Sequence, residues 1–292
     1  MLGAGVMGRN IARVLLEGGA EVVLFSRSAA TLGSARGALG DLDAVGARLA
    51  YTTDLAEAVE GADVVLESVP EALPLKVALL NDIERAVAND TVIATNTSSL
   101  PLDRLADVLG RPGRFLGWHW FNPAHLIPLV EVIPAPATDP AVLRWSVETL
   151  QAMGKRPLAL SSAIDGFLAN RLQYALIREA LALVEAGAAT PEQIDAVITD
   201  CLGPRWAVIG PMRSSDLAGI ATAAAVATEL FPKLSNADSP PPVLTGLLEQ
   251  GRTGAAGGAG FYDYADAAAA ARERDRLLGL VLAALTEGRE AG

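Results

Sequence analysis

Met1-Leu-Gly-Ala-Gly-Val-Met-Gly-Arg-Asn-Ile-Ala-Arg-Val-Leu-Leu-Glu17, with Glu21-Val-Val-Leu-Phe-Ser-Arg-Ser28 shortly after it, carries the pattern G-x-G-x-x-G ahead of a helical segment and an apolar strand. The first glycine of such a loop permits a tight turn, the second lets backbone N–H groups approach a pyrophosphate, and the third lets the helix pack close to its strand. The positive end of the helix dipole then favours the phosphate charge. A glycine loop alone is a weak signal. Here the helix Arg9 to Glu17 follows directly and the strand Glu21–Phe25 comes at βαβ spacing, so the loop reads as a dinucleotide cradle formed by Gly3, Gly5, Val6, Met7 and Gly8 rather than as a plain turn. Only Met1 and Leu2 precede Gly3, whereas a central parallel strand runs to ~5–6 residues. Either the chain starts inside its first strand, several codons downstream of the true start, or the sheet tolerates a stub at its centre, and the first is the expectation.

Outward from the loop, short apolar runs alternate with segments of helical period as far as residue 160, the layout of a parallel sheet covered by helices. The strand candidates after Glu21–Phe25 are Asp63–Glu67, Thr91–Thr95, Arg114–Trp118, Leu129–Ile133 and Arg156–Leu160, with helices over Leu73–Ala88 and Pro140–Met153. Beyond Ser162 the alternation stops. Residues 167–186 read as one helix, Thr190-Pro-Glu-Gln193 offers an N-cap, a first-turn proline and a capping-box glutamine, and further helices are expected over Asp216–Phe231, Val243–Gln250 and Ala267–Leu285. The fold class expected is therefore an α/β Rossmann-type N-terminal domain over 1–162 plus an all-α C-terminal domain over 163–292.

Composition narrows the partners. The 292 residues hold 34 acidic and 23 basic side chains, a formal charge of −11, which argues against nucleic acid or an anionic membrane surface. A single cysteine, Cys201, excludes an internal disulfide framework and a thiolate zinc cluster, and suits a reducing compartment. His119 and His125 alone make a poor start on a metal site, so no metal is expected. No apolar run approaches the ~18 residues of a membrane span, and no secretory signal opens the chain. A cytoplasmic protein acting on a small molecule is expected.

The end of the second strand bears on the choice of dinucleotide. An NAD site usually places Asp or Glu there to accept from the ribose hydroxyls, whereas a 2′-phosphate is better met by Arg with small hydroxyl donors. The sequence reads Phe25-Ser26-Arg27-Ser28, and no acid stands between Glu21 and Asp41. The cofactor is NAD or NADP. Ser26 and Arg27 lean towards NADP, and the competing reading of Ser-Arg-Ser is a solvated turn.

Candidate general bases are few. His119 lies just past an apolar strand in Gly117-Trp-His-Trp-Phe-Asn-Pro123, and Glu131 sits inside the next, Leu129-Val-Glu-Val-Ile133. A carboxylate in a buried strand is costly without a partner, and His119 is the natural one. Such a pair fixes the tautomer of the ring and holds it ready to take a hydroxyl proton.

Together with the glycine loop, five further motifs resemble the L-3-hydroxyacyl-CoA dehydrogenase family from residue 1 to Gly-Phe-Tyr at 260–262. They are Ser68-Val-Pro-Glu-Ala-Leu-Pro-Leu-Lys76, Asn96-Thr-Ser-Ser-Leu100, His119-Trp-Phe-Asn-Pro123, Leu129-Val-Glu-Val132 and Gly166-Phe-Leu-Ala-Asn-Arg171. The resemblance implies His119 as base, Glu131 as its orienter, and Ser98 and Asn170 as groups holding the reacting oxygen while hydride passes between C3 of a 3-hydroxyacyl-CoA and the nicotinamide. It also implies that Glu71 and Lys76 lie near the nicotinamide end, with Asn96 among the cofactor contacts. One segment departs from that pattern. Arg205-Trp206 in Gly203-Pro-Arg-Trp-Ala-Val-Ile-Gly-Pro211 looks more like relatives acting on free hydroxy acids of the gulonate or carnitine type, since an arginine grips a carboxylate with two hydrogen bonds. The competing reading is an Arg stacked on Trp in a core or interface. Asn122 and Arg205 are the substrate candidates. A long apolar helix such as 167–186 needs cover on more than one side, so a homodimer through the helical domain is expected. From another class, a cofactor-binding protein without catalysis is opposed by the joint presence of His119, Glu131, Ser98 and Asn170.

Overall fold

The computed structural model describes residues 1–40 and 48–290 and divides into two compact units, Met1–Asn170 and Arg171–Gly292. In the first, α1 (Val6–Glu17) is followed by β1 (Val22–Phe25), α2 (Ala29–Leu39), β2 (Leu49–Thr52), α3 (Leu55–Val59), β3 (Val64–Glu67) and α4 (Leu73–Ala86). Then come β4 (Val92–Thr95), α5 (Leu102–Ala106), β5 (Phe115–Trp120), β6 (Leu129–Pro134), α6 (Pro140–Ala152) and β7 (Arg156–Ala159). β1 pairs with β2 in parallel, and β3-β4-β5-β6-β7 form a run in which only β5 and β6 are antiparallel. Met1 and Leu2 bridge the two groups. Leu2 donates to the Leu66 carbonyl and accepts from Ser68 N–H, while Gly3 donates to Phe25 and Phe25 to Met1. Two residues thus hold the central strand position.

The strands read as continuous apolar runs because both faces of the sheet are covered. Leu66, Ala94, Leu116 and Val132 face one layer, packed with Ile11 and Leu15 of α1, Leu32 and Ala35 of α2 and Leu150 of α6. Val65, Ile93, Phe115 and Ile133 face the other, with Leu80 and Ile83 of α4 and Leu102 and Leu105 of α5. β2 has no counterpart among the sequence-expected strands. It has four residues and only Thr52 is buried, so it offers little periodic signal.

α7 (Leu168–Glu185) begins at the end of the first unit. The second continues with α8 (Pro191–Val197), α9 (Gly203–Ala218), α10 (Ile220–Leu230), α11 (Pro242–Glu249) and α12 (Ala267–Glu290). The Thr190–Gln193 capping box forms as its residues dictate, with Gln193 N–H donating to Thr190 Oγ1 and Thr190 N–H to Gln193 Oε1. One expected helix, Asp216–Phe231, is split, since Gly219 takes φ 93° between α9 and α10. α9 was hidden in the sequence by Gly210 (φ 71°) and Pro211, which break its period. Among the described residues, none in α7 to α11 is buried. No described helix is long and apolar enough to cross a membrane.

Candidate active site

The antiparallel register of β5 and β6 sets His119 directly opposite Glu131. Both side chains are buried, and His119 Nδ1 lies 2.8 Å from Glu131 Oε2. The second carboxylate oxygen accepts from Ala169 N–H at 2.8 Å, so Glu131 has a partner on each oxygen and meets the condition for burying an ionised acid. That second bond depends on a sharp turn. Phe167 takes φ 52° next to Gly166 at φ 75°, a left-handed step that an aromatic residue adopts only where its surroundings enforce it. The turn also brings the Phe167 ring within 5.3 Å of the imidazole, while Phe121 meets it edge-on at 4.5 Å. A proton on Nδ1 shared with Glu131 would leave the lone pair of the ring at Nε2.

β4 brings a second set of groups to the same sheet. Asn96 Oδ1 accepts from Trp120 N–H at 2.9 Å, one residue from His119, and its amide nitrogen donates to Ser68 Oγ at 3.1 Å. Past Asn96 the chain turns through Thr97, Ser98 and Ser99, all gathered on Glu71 Oε1, which takes the Thr97 hydroxyl, the N–H groups of Ser98 (2.8 Å) and Ser99 (3.0 Å), and Ser99 Oγ. Burial works against the ionised form of Glu71, yet the Thr97 hydroxyl, the Lys76 ammonium and the two N–H groups outweigh it and hold the carboxyl below its ordinary range. Asn170 Nδ2 donates to the Ser98 carbonyl at 3.1 Å. Ser98 and Asn170 are therefore neighbours.

The glycine loop is built as its sequence requires. Gly3 takes φ 103°, and a Cβ there would meet the Ser68 carbonyl oxygen at 2.5 Å; a Cβ on Gly8 would meet Gly3 O at 1.7 Å, whereas Gly5 faces open space. The N-terminus of α1 opens on a cavity of about 940 Å³ whose wall includes Gly3, Gly5, Val6, Met7, Ser26, Arg27, Glu71, Asn96 and Ser98. These residues fit a dinucleotide, with backbone N–H groups at a helix start and hydroxyl, amide and guanidinium donors on one cavity wall. Ser28 lines the same cavity, and its hydroxyl also accepts from Thr31 N–H as the N-cap of α2.

Lys76 is turned away from that space. It shares the inner face of α4 with Leu80 and Ile83, and its buried Nζ donates to both oxygens of Glu67 at 2.7 and 2.9 Å, with Glu71 Oε2 at 3.3 Å. Glu67 is a residue that sequence reasoning passed over. The signal was present, since it is an acid closing an apolar strand, as Glu131 is an acid within one. Lys155 was also passed over. Its buried Nζ holds the carbonyls of Ala124 (2.7 Å) and Ile127 (2.9 Å) and lies 5.5 Å over the Trp120 ring, bracing the loop after β5. Burial pulls its pKa down to about 8, partly opposed by Glu17. Asn122, exposed at the start of that loop, precedes a cis bond to Pro123. Arg205 belongs to the second unit, exposed in the first turn of α9. Among the described residues, no group of His, Cys, Asp or Glu is placed to hold a metal ion.

Residues 1–163 match the family model of the 3-hydroxyacyl-CoA dehydrogenase NAD binding domain, and residues 166–264 match that of the same family's C-terminal domain. The chain belongs to the 3-hydroxyacyl-CoA dehydrogenase family. It is an oxidoreductase with an NAD-binding Rossmann domain. It is 34% identical over 303 residues to a 5-formyl-3-hydroxy-2-methylpyridine 4-carboxylate 5-dehydrogenase of Mesorhizobium japonicum, covering 99% of this chain and 98% of that one. A probable 3-hydroxybutyryl-CoA dehydrogenase of Deinococcus radiodurans is 33% identical, with 90% and 99% covered, and an L-carnitine dehydrogenase of Streptomyces griseus is 45% identical over 188 residues, with 64% and 54% covered. A crystal structure of the pyridine carboxylate dehydrogenase, described as an NAD+ dependent dismutase, superimposes with a TM-score of 0.93 at 32% identity, covering 98% of this chain and 97% of that one.

Proposed function

We propose that this member of the family oxidises a hydroxyl group, or in reverse reduces a carbonyl, on a small molecule bearing a free carboxylate, with His119 as general base. The observation that carries the reading is the 2.8 Å contact between His119 Nδ1 and Glu131 Oε2. Glu131 keeps the proton on Nδ1, Nε2 takes the hydroxyl proton, and the hydrogen on the carbinol carbon departs with its electron pair. The nicotinamide, when bound, accepts that hydride. Ser98 and Asn170 are assigned to the reacting oxygen, where each well-placed donor contributes roughly 2.7–4 kcal/mol of transition-state stabilisation.

The free carboxylate rests on the relative matched over nearly the whole length of both chains, which acts on a pyridine carboxylate. A second reading, a 3-hydroxyacyl-CoA substrate, has in its favour the family models and the Deinococcus relative. Arg27 on the cavity wall, in a stretch with no acid between Glu21 and Asp41 in sequence, favours NADP as the better-held dinucleotide, although the superimposed relative is described as NAD+ dependent. The helical unit is assigned to a homodimer, because Val208, Met212, Leu217 and Ile220 are 62–79% exposed and a second copy would cover them.

The test is an oxidation assay with formyl- and hydroxymethyl-pyridine carboxylates, carnitine, gulonate and 3-hydroxybutyryl-CoA, each with NAD and NADP. Turnover on a free acid at least ~100-fold more efficient than on the thioester is the expected result. Thioester preference would replace it with the second reading.

A further inference from the structure

We infer that Glu67 is a positioning residue for Ser98: it fixes Lys76, Lys76 fixes Glu71, and Glu71 sets the Thr97–Ser99 turn. The inference deepens the proposed function only in giving Ser98 its place near the reacting oxygen.

Each oxygen of Glu67 is spoken for. Oε1 accepts from Val69 N–H at 2.6 Å and Lys76 Nζ at 2.7 Å, and Oε2 from Thr95 Oγ1 at 2.7 Å and Lys76 Nζ at 2.9 Å. The carboxylate is fully buried and joins the ends of β3 and β4 at the level of the glycine loop, with Leu2 bridged to its backbone. Lys76 is 1% exposed, and its remaining contacts are Val69 O at 3.4 Å and Glu71 Oε2 at 3.3 Å. The ammonium therefore has no proton left for a dinucleotide and acts inside the protein. Glu71 stands half in the cavity, and it converts this anchorage into geometry: one oxygen faces Lys76 while the other collects four donors from residues 97–99.

A purely stabilising role explains this arrangement poorly. A buried ion pair barely offsets the cost of taking both charges from water, and an apolar pair of similar volume is commonly as stable. The ionic version offers direction instead: a chain of charge-assisted bonds from a strand end to one oxygen, with a single arrangement that satisfies every group.

The experiment follows the turn itself, without a substrate. Amide hydrogen exchange is measured by mass spectrometry on the whole protein, wild type against Glu71→Gln and against Glu67→Gln combined with Lys76→Met. The double substitution leaves no unpaired buried charge, so it carries the test where Glu67→Gln alone fails to fold. In both variants the segment 97–100 is expected to exchange at least about tenfold faster, with β5 and β6 as protected as in wild type. Fluorescence titration with NADH and NADPH on the same variants is expected to show a loss of affinity only where exchange at 97–100 also rises, because Glu71 and Ser98 line the cavity. Unchanged exchange at 97–100 in the double variant, with Glu71→Gln showing the increase, overturns the role of Glu67. So does a loss of dinucleotide affinity without a change at 97–100, which makes Lys76 a cofactor contact. Should neither dinucleotide bind the wild type, the proposed function fails while the exchange result still reads on Glu67.

Discussion

His119 and Glu131 face each other across two antiparallel strands, with 2.8 Å between Nδ1 and Oε2, and the acid is held from behind by the Ala169 N–H. The pair belongs to the sheet itself, so its geometry is as rigid as the ladder around it, and only the far nitrogen of the ring is left to do chemistry. His119→Gln retains a polar side chain of similar reach but loses the base. Turnover is expected to fall by at least ~10²–10⁴-fold with the dinucleotide dissociation constant within about threefold of wild type. Stopped-flow turnover and fluorescence titration check the two halves, and near-normal turnover removes His119 from the mechanism.

Glu131→Gln tests the tautomer. A glutamine amide can donate to Nδ1, which moves the ring proton to Nε2 and leaves no lone pair for the hydroxyl. An analogous acid-to-amide change in serine proteases costs about 10⁴-fold, and a loss of order 10²–10⁴ is expected here with folding intact. The Gln side chain keeps the acceptor for Ala169, so thermal unfolding close to that of wild type should accompany the loss. Full activity in a folded variant would count against the pairing as the source of the base.

Gly8→Ala separates the loop from ordinary turns. The added carbon would fall 1.7 Å from the Gly3 carbonyl oxygen, so α1 must move off the loop, at a cost of about 1–3 kcal/mol as in other overpacked sites. Lower urea stability together with weakened dinucleotide binding is the expected pair of results. Wild-type affinity for NADH and NADPH would show that the loop is only a turn.

Much of this arrangement was legible before any coordinates. Alternation of apolar runs and helical segments gave the sheet and its two helical layers, and an acid inside an apolar strand pointed to the His119–Glu131 pair. What escaped had weak or misleading local signals. β2 is four residues long and mostly unburied, and α9 hides behind Gly210 and Pro211. Lys76 was expected to face the cofactor because motif position says nothing of direction. Its spacing does: with Leu80 and Ile83 at i+4 and i+7 it must lie on the buried face of α4, and a buried ammonium calls for an acid, which Glu67 supplies. Lys155 carried no pattern at all, since its partners are two carbonyls of a distant loop.

Arg27→Asp tests the choice of dinucleotide. Arg27 lies on the cavity wall beside Ser26, past the end of β1. A charge-assisted bond to a 2′-phosphate contributes ~1.5–3 kcal/mol, so affinity for NADPH should drop by roughly 10–100-fold. NADH, which lacks that phosphate, should bind within about threefold of wild type or gain. Equal losses for both would return Ser-Arg-Ser to the status of a solvated turn.

Lys155 ties stability to pH in the alkaline range. Its pKa falls from 10.5 to about 8 because burial penalises the ammonium more than the charge of Glu17 relieves it. Between those two values the unfolded chain binds more protons than the folded one, so this group makes stability rise with pH from about 8 to 10.5; below 8 both states carry the proton and the cost of burial is constant. The neutral amine still has two N–H bonds for the carbonyls of Ala124 and Ile127, so the loop after β5 stays braced through the titration. Lys155→Met removes the titration and the brace together. Urea unfolding of both proteins across this range should show wild type gaining on the variant as the pH climbs, since every other titrating group cancels in the difference. A difference that stays flat would mean that the ammonium is better solvated than its burial implies.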